Sequence, residues 1–262
     1  MRTFQQRLLV RFILIALVPL VVAQSATVWF AVHQLNRGLE ERIGDSRRGV
    51  EIETGGRESD LVIRAEAVAK DPHLGRLMKD MATTIVDARA SEVLEILETA
   101  RSFLGVDVVS AVNLAGQVVA QAHSPGVYGQ SLADTTFVDR VLAKERYAGI
   151  MPGESGLGVT AAVPVIWRGE PRGILLIEDA LDHLFATGLR RKFGMQVTIV
   201  DGDRLQATTA DKPQMIRFLA ARSAQSNPPP ADTDDIHAID VDGKNYLMAS
   251  LPLLSESDGQ VG

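Results

Sequence analysis

The histidines and the hydroxyl-bearing residues are the side chains best suited to chemistry in this sequence, and their spacing limits what they can do. Five histidines are scattered along the chain, at His33, His73, His123, His183 and His237. No two have the spacing of a local metal pair, and neither an HExxH helix nor a Gly-x-Ser-x-Gly elbow occurs. Because the chain has no cysteine, thiolate catalysis and cysteine zinc sites are excluded. The sequence therefore predicts no catalytic residue, no metal site and no cofactor.

One segment still has the composition of a functional loop. AHSPGVYGQSLAD, residues 122–134, combines a histidine, a Pro-Gly turn and a Tyr-Gly pair directly after an alternating apolar run. A catalytic loop, a metal site and the rim of a ligand pocket are the three interpretations. The glycines at 126 and 129 let the backbone turn closely, and His123 is able to titrate near neutral pH. Since catalytic and metal motifs are missing, the first two interpretations are disfavoured.

Composition and charge exclude further classes of protein. With 262 residues and 46% hydrophobic content, the chain can form one large or two small folded domains. The net charge is −6, and the first 36 residues hold three arginines and no acid, so the remainder carries −9. Binding to nucleic acid requires lysine and arginine to displace counterions. We therefore expect no nucleic-acid partner. The acidic residues 231–240 match no EF-hand spacing, which favours a solvated loop over a calcium site.

A long apolar segment near the N-terminus predicts a membrane anchor. Residues 12–32, FILIALVPLVVAQSATVWFAV, contain no charge and have the length of a transmembrane helix, with Pro19 expected to kink it. A cleaved signal peptide is the alternative, but its apolar core is shorter and ends in an Ala-x-Ala-like site. Arginines flank both ends of the segment, so the positive-inside rule does not decide its orientation.

The region after this segment reads as helical. Residues 34–70 are charged and keep a partial apolar stripe, with Gly55-Gly56 as a weak point. Such a stripe suggests parallel pairing of two chains. Asp71-Pro72 marks a helix boundary, since aspartate caps helices and proline suits the first helical position. Short helices are predicted over 74–81 and over 90–103, the second with Ser91 as a possible cap.

From residue 106 the pattern changes to short β-branched runs. Four strands are predicted in VDVVSAVN, QVVAQA, GVTAAVPVIW and RGILLIED, with a helix in TTFVDRVLAKE between the second and third. Tight turns at LAG and RGEP join the strands in antiparallel pairs. This order of elements predicts an α+β module built on one antiparallel sheet.

A smaller copy of the same pattern follows. Residues 181–194 predict a connecting helix that ends at Gly194, and residues 195–210 predict a hairpin with Asp-Gly at its turn. A short helix, a proline-rich acidic loop and a second Asp-Gly hairpin over 236–253 complete it. The chain stops just as another strand begins, so we expect a longer protein.

Two segments resemble the bacterial double Cache sensor domains, which are PAS-like extracytoplasmic modules of transmembrane receptors. LGVDVVSAVNLAGQVVAQAHSPGVYGQSLAD is similar to the strand, turn, strand and H-x-P-x-x-x-G-x-S loop of that family, and GLGVTAAVPVIWRGEPRGILLIE is similar to its paired strands. The resemblance covers residues 36–262. It implies a tail and transmembrane helix over 1–35, helices over 36–104, a membrane-distal module over 105–180, a connecting helix over 181–194 and a truncated membrane-proximal module over 195–262.

The resemblance also implies a location and a role. Residues 36–262 would face the periplasm from the bacterial inner membrane, followed by a second membrane helix and a cytoplasmic output of the chemotaxis, histidine kinase or cyclase type. The expected function is to bind a small molecule in the distal module and to relay a conformational change, as a homodimer. Two alternatives remain: a structural or interaction ectodomain without a ligand, and, disfavoured by the missing motifs, a membrane-tethered periplasmic enzyme.

In PAS-like folds the ligand lies between the sheet and the loop-helix segment over it, which implies a set of contact residues here. The expected ligand-binding residues are His123, Tyr128, Ser131, Arg146, Tyr147, Ser155 and Thr160. Packing alternatives exist for His123 and Tyr128, and Arg146 has the alternative of a solvated surface charge. Carboxylate-binding relatives carry basic residues where this chain has Thr160 and Ala162, so a small neutral or monoanionic metabolite is expected.

Overall fold

A five-stranded antiparallel sheet is the centre of the structure, which is a computed structural model. The structure describes residues 4–83, 85, 87–133, 135–153, 156–201, 204–211, 213, 215–217, 236–241, 244–251 and 253. The chain divides into two compact units, one of residues 1–48 with 234–250 and one of residues 49–233 with 251–262.

The first helix, α1, runs without a break over Phe4–Ala69. The helix continues without interruption through Gly55-Gly56, the pair predicted to be a weak point. Ser59 Oγ donates to the Gly55 carbonyl at 3.1 Å, and Arg64 pairs with Asp60 one turn earlier at 2.5 Å. The glycine pair therefore does not end the helix, although glycine has a low helix propensity.

The predicted membrane segment lies within α1. Residues 12–22 of that segment are described only as helical backbone. Within the part of the chain whose residues the structure describes, no helix is long and apolar enough to cross a membrane.

Two short helices follow α1, namely α2 over Pro72–Asp80 and α3 over Asp87–Leu104. The boundary predicted at Asp71-Pro72 is confirmed: Asp71 is the N-cap, its carboxylate accepts a hydrogen bond from His73 N at 2.7 Å, and Pro72 is the first helical residue. Ser91 lies inside α3 and does not cap it.

The sheet contains β1 (Val108–Val112), β2 (Val118–Gln121), β3 (Tyr147–Gly153), β4 (Gly156–Trp167) and β5 (Glu170–Ala180), and α4 (Thr136–Leu142) lies between β2 and β3 in sequence. The strand order is β2-β1-β5-β4-β3, with every neighbouring pair antiparallel. The four predicted runs and the helix between them are confirmed. The edge strand β3 was not among those runs, since its sequence YAGIMPG has a proline and two glycines, which edge strands tolerate.

Helices cover both faces of this sheet. α2 and α3 contact one face through β1, β2, β4 and β5, and Leu61, Ala65 and Ala69 of α1 join the same apolar core. The opposite face packs against α4. On the α1 side, Gly173 of β5 lets Met78 and the Val112 backbone approach closely, because a Cβ there would collide with both.

The sheet is followed by α5 (His183–Phe193) and by a hairpin of β6 (Thr198–Asp201) and β7 (Arg204–Thr208). Asp182 caps α5 by accepting a hydrogen bond from the Phe185 amide at 2.9 Å. The helix ends at Gly194, as predicted, and this glycine adopts the left-handed conformation at φ 71°. The second predicted hairpin is confirmed as β8 (His237–Val241) and β9 (Lys244–Met248). Most of the helix predicted over 212–223 and of the proline-rich loop lies outside the described residues.

Candidate ligand-binding site

The sheet face that α4 covers carries side chains in register rows, because alternate residues of each strand share a face. One row across the five strands consists of Gln121, Ser110, Leu176, Ala162 and Tyr147. The next row, toward the C-terminal end of β5, consists of Val108, Glu178, Thr160 and Gly149. We call these two rows the α4 face. They bring together polar side chains from four strands that are far apart in sequence.

Aromatic packing fills the β3 side of the α4 face. Phe137 of α4 and Tyr147 of β3 are each 2% exposed, and their ring centroids lie 5.4 Å apart. Both belong to the apolar core on this side of the sheet. Tyr147, one of the expected contact residues, therefore lies inside the core and forms an apolar wall.

The second row places a carboxylate at the centre of the sheet. Glu178 is 6% exposed, and it is the only acidic or basic side chain that is fully buried in the described part of the chain. Its cross-strand neighbour Thr160 is 3% exposed. Gly153 and Gly158 lie beside the carboxyl group, and a Cβ at Gly158 would stand 2.6 Å from Glu178 Oε1. The glycines at these positions leave the volume that this carboxyl group occupies.

The first row adds two more buried polar groups. Ser110 of β1 is 3% exposed, and its cross-strand neighbour Gln121 of β2 is 6% exposed. Gln121 Oε1 is buried and has no hydrogen-bond partner among the residues that the structure describes. An unpaired buried carbonyl oxygen costs about 1–3 kcal/mol, so this atom is suited to accept a bond from a bound molecule.

The described part of the loop, residues 122–133, runs along the outer edge of β2. Val118 N donates to Gln130 O at 2.8 Å, and Gly129 N, at φ 80°, donates to Val118 O at 2.7 Å. Tyr128 is 55% exposed, and Ser131 is exposed, with its Oγ accepting from Ala133 N. His123, half-buried, follows Gln121 by two residues at the end of β2. Only His123 of these three expected residues lies next to the buried polar groups.

Arg146 and Ser155 were also expected to contact the ligand. Arg146 is 65% exposed and forms an ion pair with Glu66 of α1. It lines an open groove of about 430 Å³ together with Glu58, Ser59, Val62, Ile63, Arg140 and Ala148. This groove lies between α1 and the edge strand β3, away from Glu178. Ser155 lies outside the described residues. Of the seven expected residues, the structure therefore brings Thr160 and Tyr147 onto the α4 face.

The opposite face of β5 binds α1. Asp179, next to Glu178 but pointing to the other face, accepts a hydrogen bond from Arg57 Nη1 at 2.7 Å. The Arg57 guanidinium also lies 4.5 Å from the centroid of the Phe185 ring in α5. Burial raises the pKa of Asp179, as do the charges of Asp107 and Asp182 to a smaller degree, while Arg57 opposes that rise. Glu178 and Asp179 are adjacent in β5, so the buried carboxylate and the residue that binds Arg57 of α1 lie on opposite faces of the sheet.

A glutamine connects the sheet to the second hairpin. Gln206 of β7 accepts from Leu157 N at 2.6 Å and donates to the carbonyl oxygens of Leu157 at 2.7 Å and Leu181 at 3.0 Å. Leu157 is next to Gly158 in β4, and Leu181 follows the last residue of β5. One side chain thus holds the ends of both strands that carry the buried polar groups.

The chemistry of this arrangement is that of recognition. Among the described residues, no group of three histidine, aspartate or glutamate side chains is placed to hold a metal ion. Sequence reasoning missed Glu178 and Gln121. The signal was present for Glu178, because a glutamate inside the apolar run GILLIEDA is unusual, but its burial depends on the strand register.

The fold is thus an antiparallel sheet with helices on both faces and a row of buried polar side chains on one face. The family model described as the double sensory domain of two-component sensor kinases matches residues 56–262. The chain therefore belongs to the double Cache sensor family dCache_3. No curated protein sequence matches it significantly.

Two solved structures with TM-scores of 0.50 share this fold at low sequence identity, and a third is similar at a lower score. The sensor domain of the Vibrio cholerae histidine kinase DctB superposes with a TM-score of 0.50 and 12% identity, covering 87% of this chain and 90% of that one. A domain of a sensory box/GGDEF family protein from Vibrio parahaemolyticus has a TM-score of 0.50 and 9% identity, covering 84% and 91%. The sensory domain of the Campylobacter jejuni chemoreceptor Tlp3 has a TM-score of 0.47 and 14% identity, covering 83% and 90%.

Proposed function

We propose that this chain is the ligand-sensing ectodomain of a transmembrane receptor and that a small molecule binds on the α4 face of the five-stranded sheet. The observation that carries the proposal is the buried polar pair Glu178 and Thr160 beside Gln121 and Ser110. Polar side chains are uncommon in the interior of a protein, so a row of them on one face favours recognition of a polar ligand over packing alone. Membership of a sensory family supports the same function.

The proposed location and assembly extend the expectations from the sequence. Residues 12–32 would anchor the chain in the inner membrane, residues 36–262 would lie in the periplasm, and an output domain would follow residue 262. Exposed apolar residues on α1, including Ile52 at 75% and Ile63 at 67%, support pairing of two copies along this helix. A reporter fused after Gly262 should be active in the periplasm, and cytoplasmic activity would refute this topology.

The proposed relay runs through two side-chain connections of the sheet. A shift of β5 on ligand binding would act on α1 through Asp179 and Arg57, and on the β6–β7 hairpin through Gln206. A ligand shifts such an equilibrium only by its differential affinity for the two states, about 1–3 kcal/mol in typical cases. We propose that His123, and Tyr128 and Ser131 after it, form the loop side of the binding region, and that Ser155 also contacts the ligand.

The test is a binding screen on the full chain purified in detergent. Amino acids, carboxylates, amines and purines are screened by the change in melting temperature, and hits are measured by calorimetry. At least one compound should bind, and Thr160→Val should weaken it by about tenfold, equivalent to about 1.4 kcal/mol. Thr99→Val, on the exposed surface of α3, is the matched control and should leave affinity unchanged.

A second candidate function has one observation in its favour. The packing of Phe137 against Tyr147 fills part of the α4 face, as expected for an ectodomain that transmits or assembles without a ligand. A screen without any binder, combined with an intact fold, would favour this candidate.

A further inference from the structure

The charge and hydrogen-bonding character of the α4 face indicate which ligand class it accepts. We propose that the ligand is a small organic cation rich in N–H donors, such as an amine or a guanidinium compound, with its charged end against Glu178. This inference rests on the proposed function, and it changes the expectation of a neutral or monoanionic metabolite.

The first argument is the sign of the buried charge. Glu178 lies in the middle strand of the sheet, 6% exposed and flanked by glycines that make room for its carboxyl group. An anionic ligand placed against it would bring two like charges together in a medium of low dielectric constant, where repulsion is several times stronger than in water. A cation gains from the same geometry.

The second argument is that the neighbouring polar groups accept hydrogen bonds. Gln121 Oε1 is buried without a hydrogen-bond partner among the described residues, and the hydroxyl groups of Thr160 and Ser110 are able to accept as well as donate. Gln121 and Glu178 are two strands and one row apart, about 12 Å between their backbones. A molecule with N–H groups at one or both ends can reach both acceptors.

The third argument is that the two rows of the α4 face contain no arginine or lysine. Their residues are Gln121, Ser110, Leu176, Ala162, Tyr147, Val108, Glu178, Thr160 and Gly149. The arginine of β5 itself, Arg172, lies six residues before Glu178 and pairs with Glu170, and Arg57 of α1 is bound to Asp179 on the other face. The rows therefore offer no fixed positive charge for a carboxylate, whereas the Phe137 and Tyr147 rings provide an apolar wall for a short hydrocarbon part.

The experiment compares matched compounds on the full chain in detergent. Putrescine, agmatine, ethanolamine and phenethylamine are set against 1,4-butanediol, ethylene glycol, phenethyl alcohol and the monocarboxylates butyrate and phenylacetate. At least one cation should raise the melting temperature, and its uncharged and anionic counterparts should bind at least tenfold more weakly. This comparison uses the parent protein, so it decides the ligand class even where a variant fails to fold.

Variants then locate the site. Glu178→Gln should weaken binding of the cation at least tenfold, and Gln121→Leu should weaken it by a smaller factor. The matched control Glu170→Gln changes an exposed glutamate of the same strand and should leave affinity unchanged. If Glu178→Gln does not fold, Glu178→Asp replaces it, since this variant keeps the charge on a shorter side chain. The cation should then bind more weakly to Glu178→Asp than to the parent, and Glu170→Gln should still bind it like the parent.

The outcomes separate this inference from the proposed function. If the binders are carboxylates or neutral compounds, and Thr160→Val weakens them while Glu178→Gln does not, the ligand class is wrong and the site stands. If a cation binds equally well to the parent and to Glu178→Gln, the assignment of Glu178 is wrong. If no compound of either set or of the wider screen binds the folded parent, both the site and the ligand class are refuted.

Discussion

Replacement of Gln206 by leucine tests whether one side chain joins the second hairpin to the sheet. The variant keeps most of the side-chain volume and removes the three hydrogen bonds to Leu157 and Leu181. A net hydrogen bond contributes about 0.5–1.5 kcal/mol, and the freed backbone groups are only partly buried, so water restores some of the loss. We expect the free energy of unfolding to fall by about 2–3 kcal/mol.

The assay is urea unfolding of the full chain in detergent, together with hydrogen exchange of the Leu157 amide. Exchange at this amide should become faster in the variant, because its acceptor is gone, while amides at the centre of β4 stay protected. Arg204→Gln is the matched control, since Arg204 is exposed on the same strand and should contribute less than about 0.5 kcal/mol. A loss in Gln206→Leu no larger than in this control would refute the connection.

Three further predictions concern stability. Gly173→Ala should lower the melting temperature, because its Cβ would collide with the Val112 backbone. The control Gly126→Ala, with open space around it, should melt like the parent, and equal melting temperatures of the two variants would contradict the prediction. A hydrogen bond from Lys192 lowers the pKa of Glu53, so the pair stabilises the fold above the ordinary pKa of glutamate and loses that effect as the pH falls through the lowered value. The difference in melting temperature between the parent and Lys192→Gln should therefore shrink on acidification, and a constant difference would speak against it. Asp71→Ala should cost about 1 kcal/mol in urea unfolding by removing the cap of α2, and an unchanged midpoint would exclude that role.

Much of the fold was predictable because its signals are local. Helix boundaries at Asp71-Pro72 and Gly194 follow from capping chemistry within a few residues. The four β-branched runs and the Asp-Gly turns predicted the strands and hairpins in the same way. The edge strand β3 was missed because its proline and glycines carry no strand signal, and it forms only by pairing along β4.

The candidate site was predictable only in part. Thr160 was expected and lies on the α4 face, whereas Tyr128 and Arg146 lie on the surface. Alternation within a strand shows that two residues share a face, but it does not show which face is covered or which strands are neighbours. The expected contacts in the loop followed from resemblance, and only the structure shows that the loop runs along the outer edge of β2.

By itself, the amino-acid sequence determined the elements of this protein, its lack of cysteine chemistry and its sensor-like α+β pattern, because these depend on composition and on spacing over a few residues. Only the tertiary structure decided that Glu178 is buried beside Thr160 with Gln121 in the adjoining row, and that Asp179 binds Arg57 across a separation of 122 residues. The physical reason is register. The strand order β2-β1-β5-β4-β3 places β5 at the centre of the sheet. Because neighbouring residues of a strand point to opposite faces, Glu178 faces α4 and Asp179 faces α1, the helix that leads toward the N-terminus.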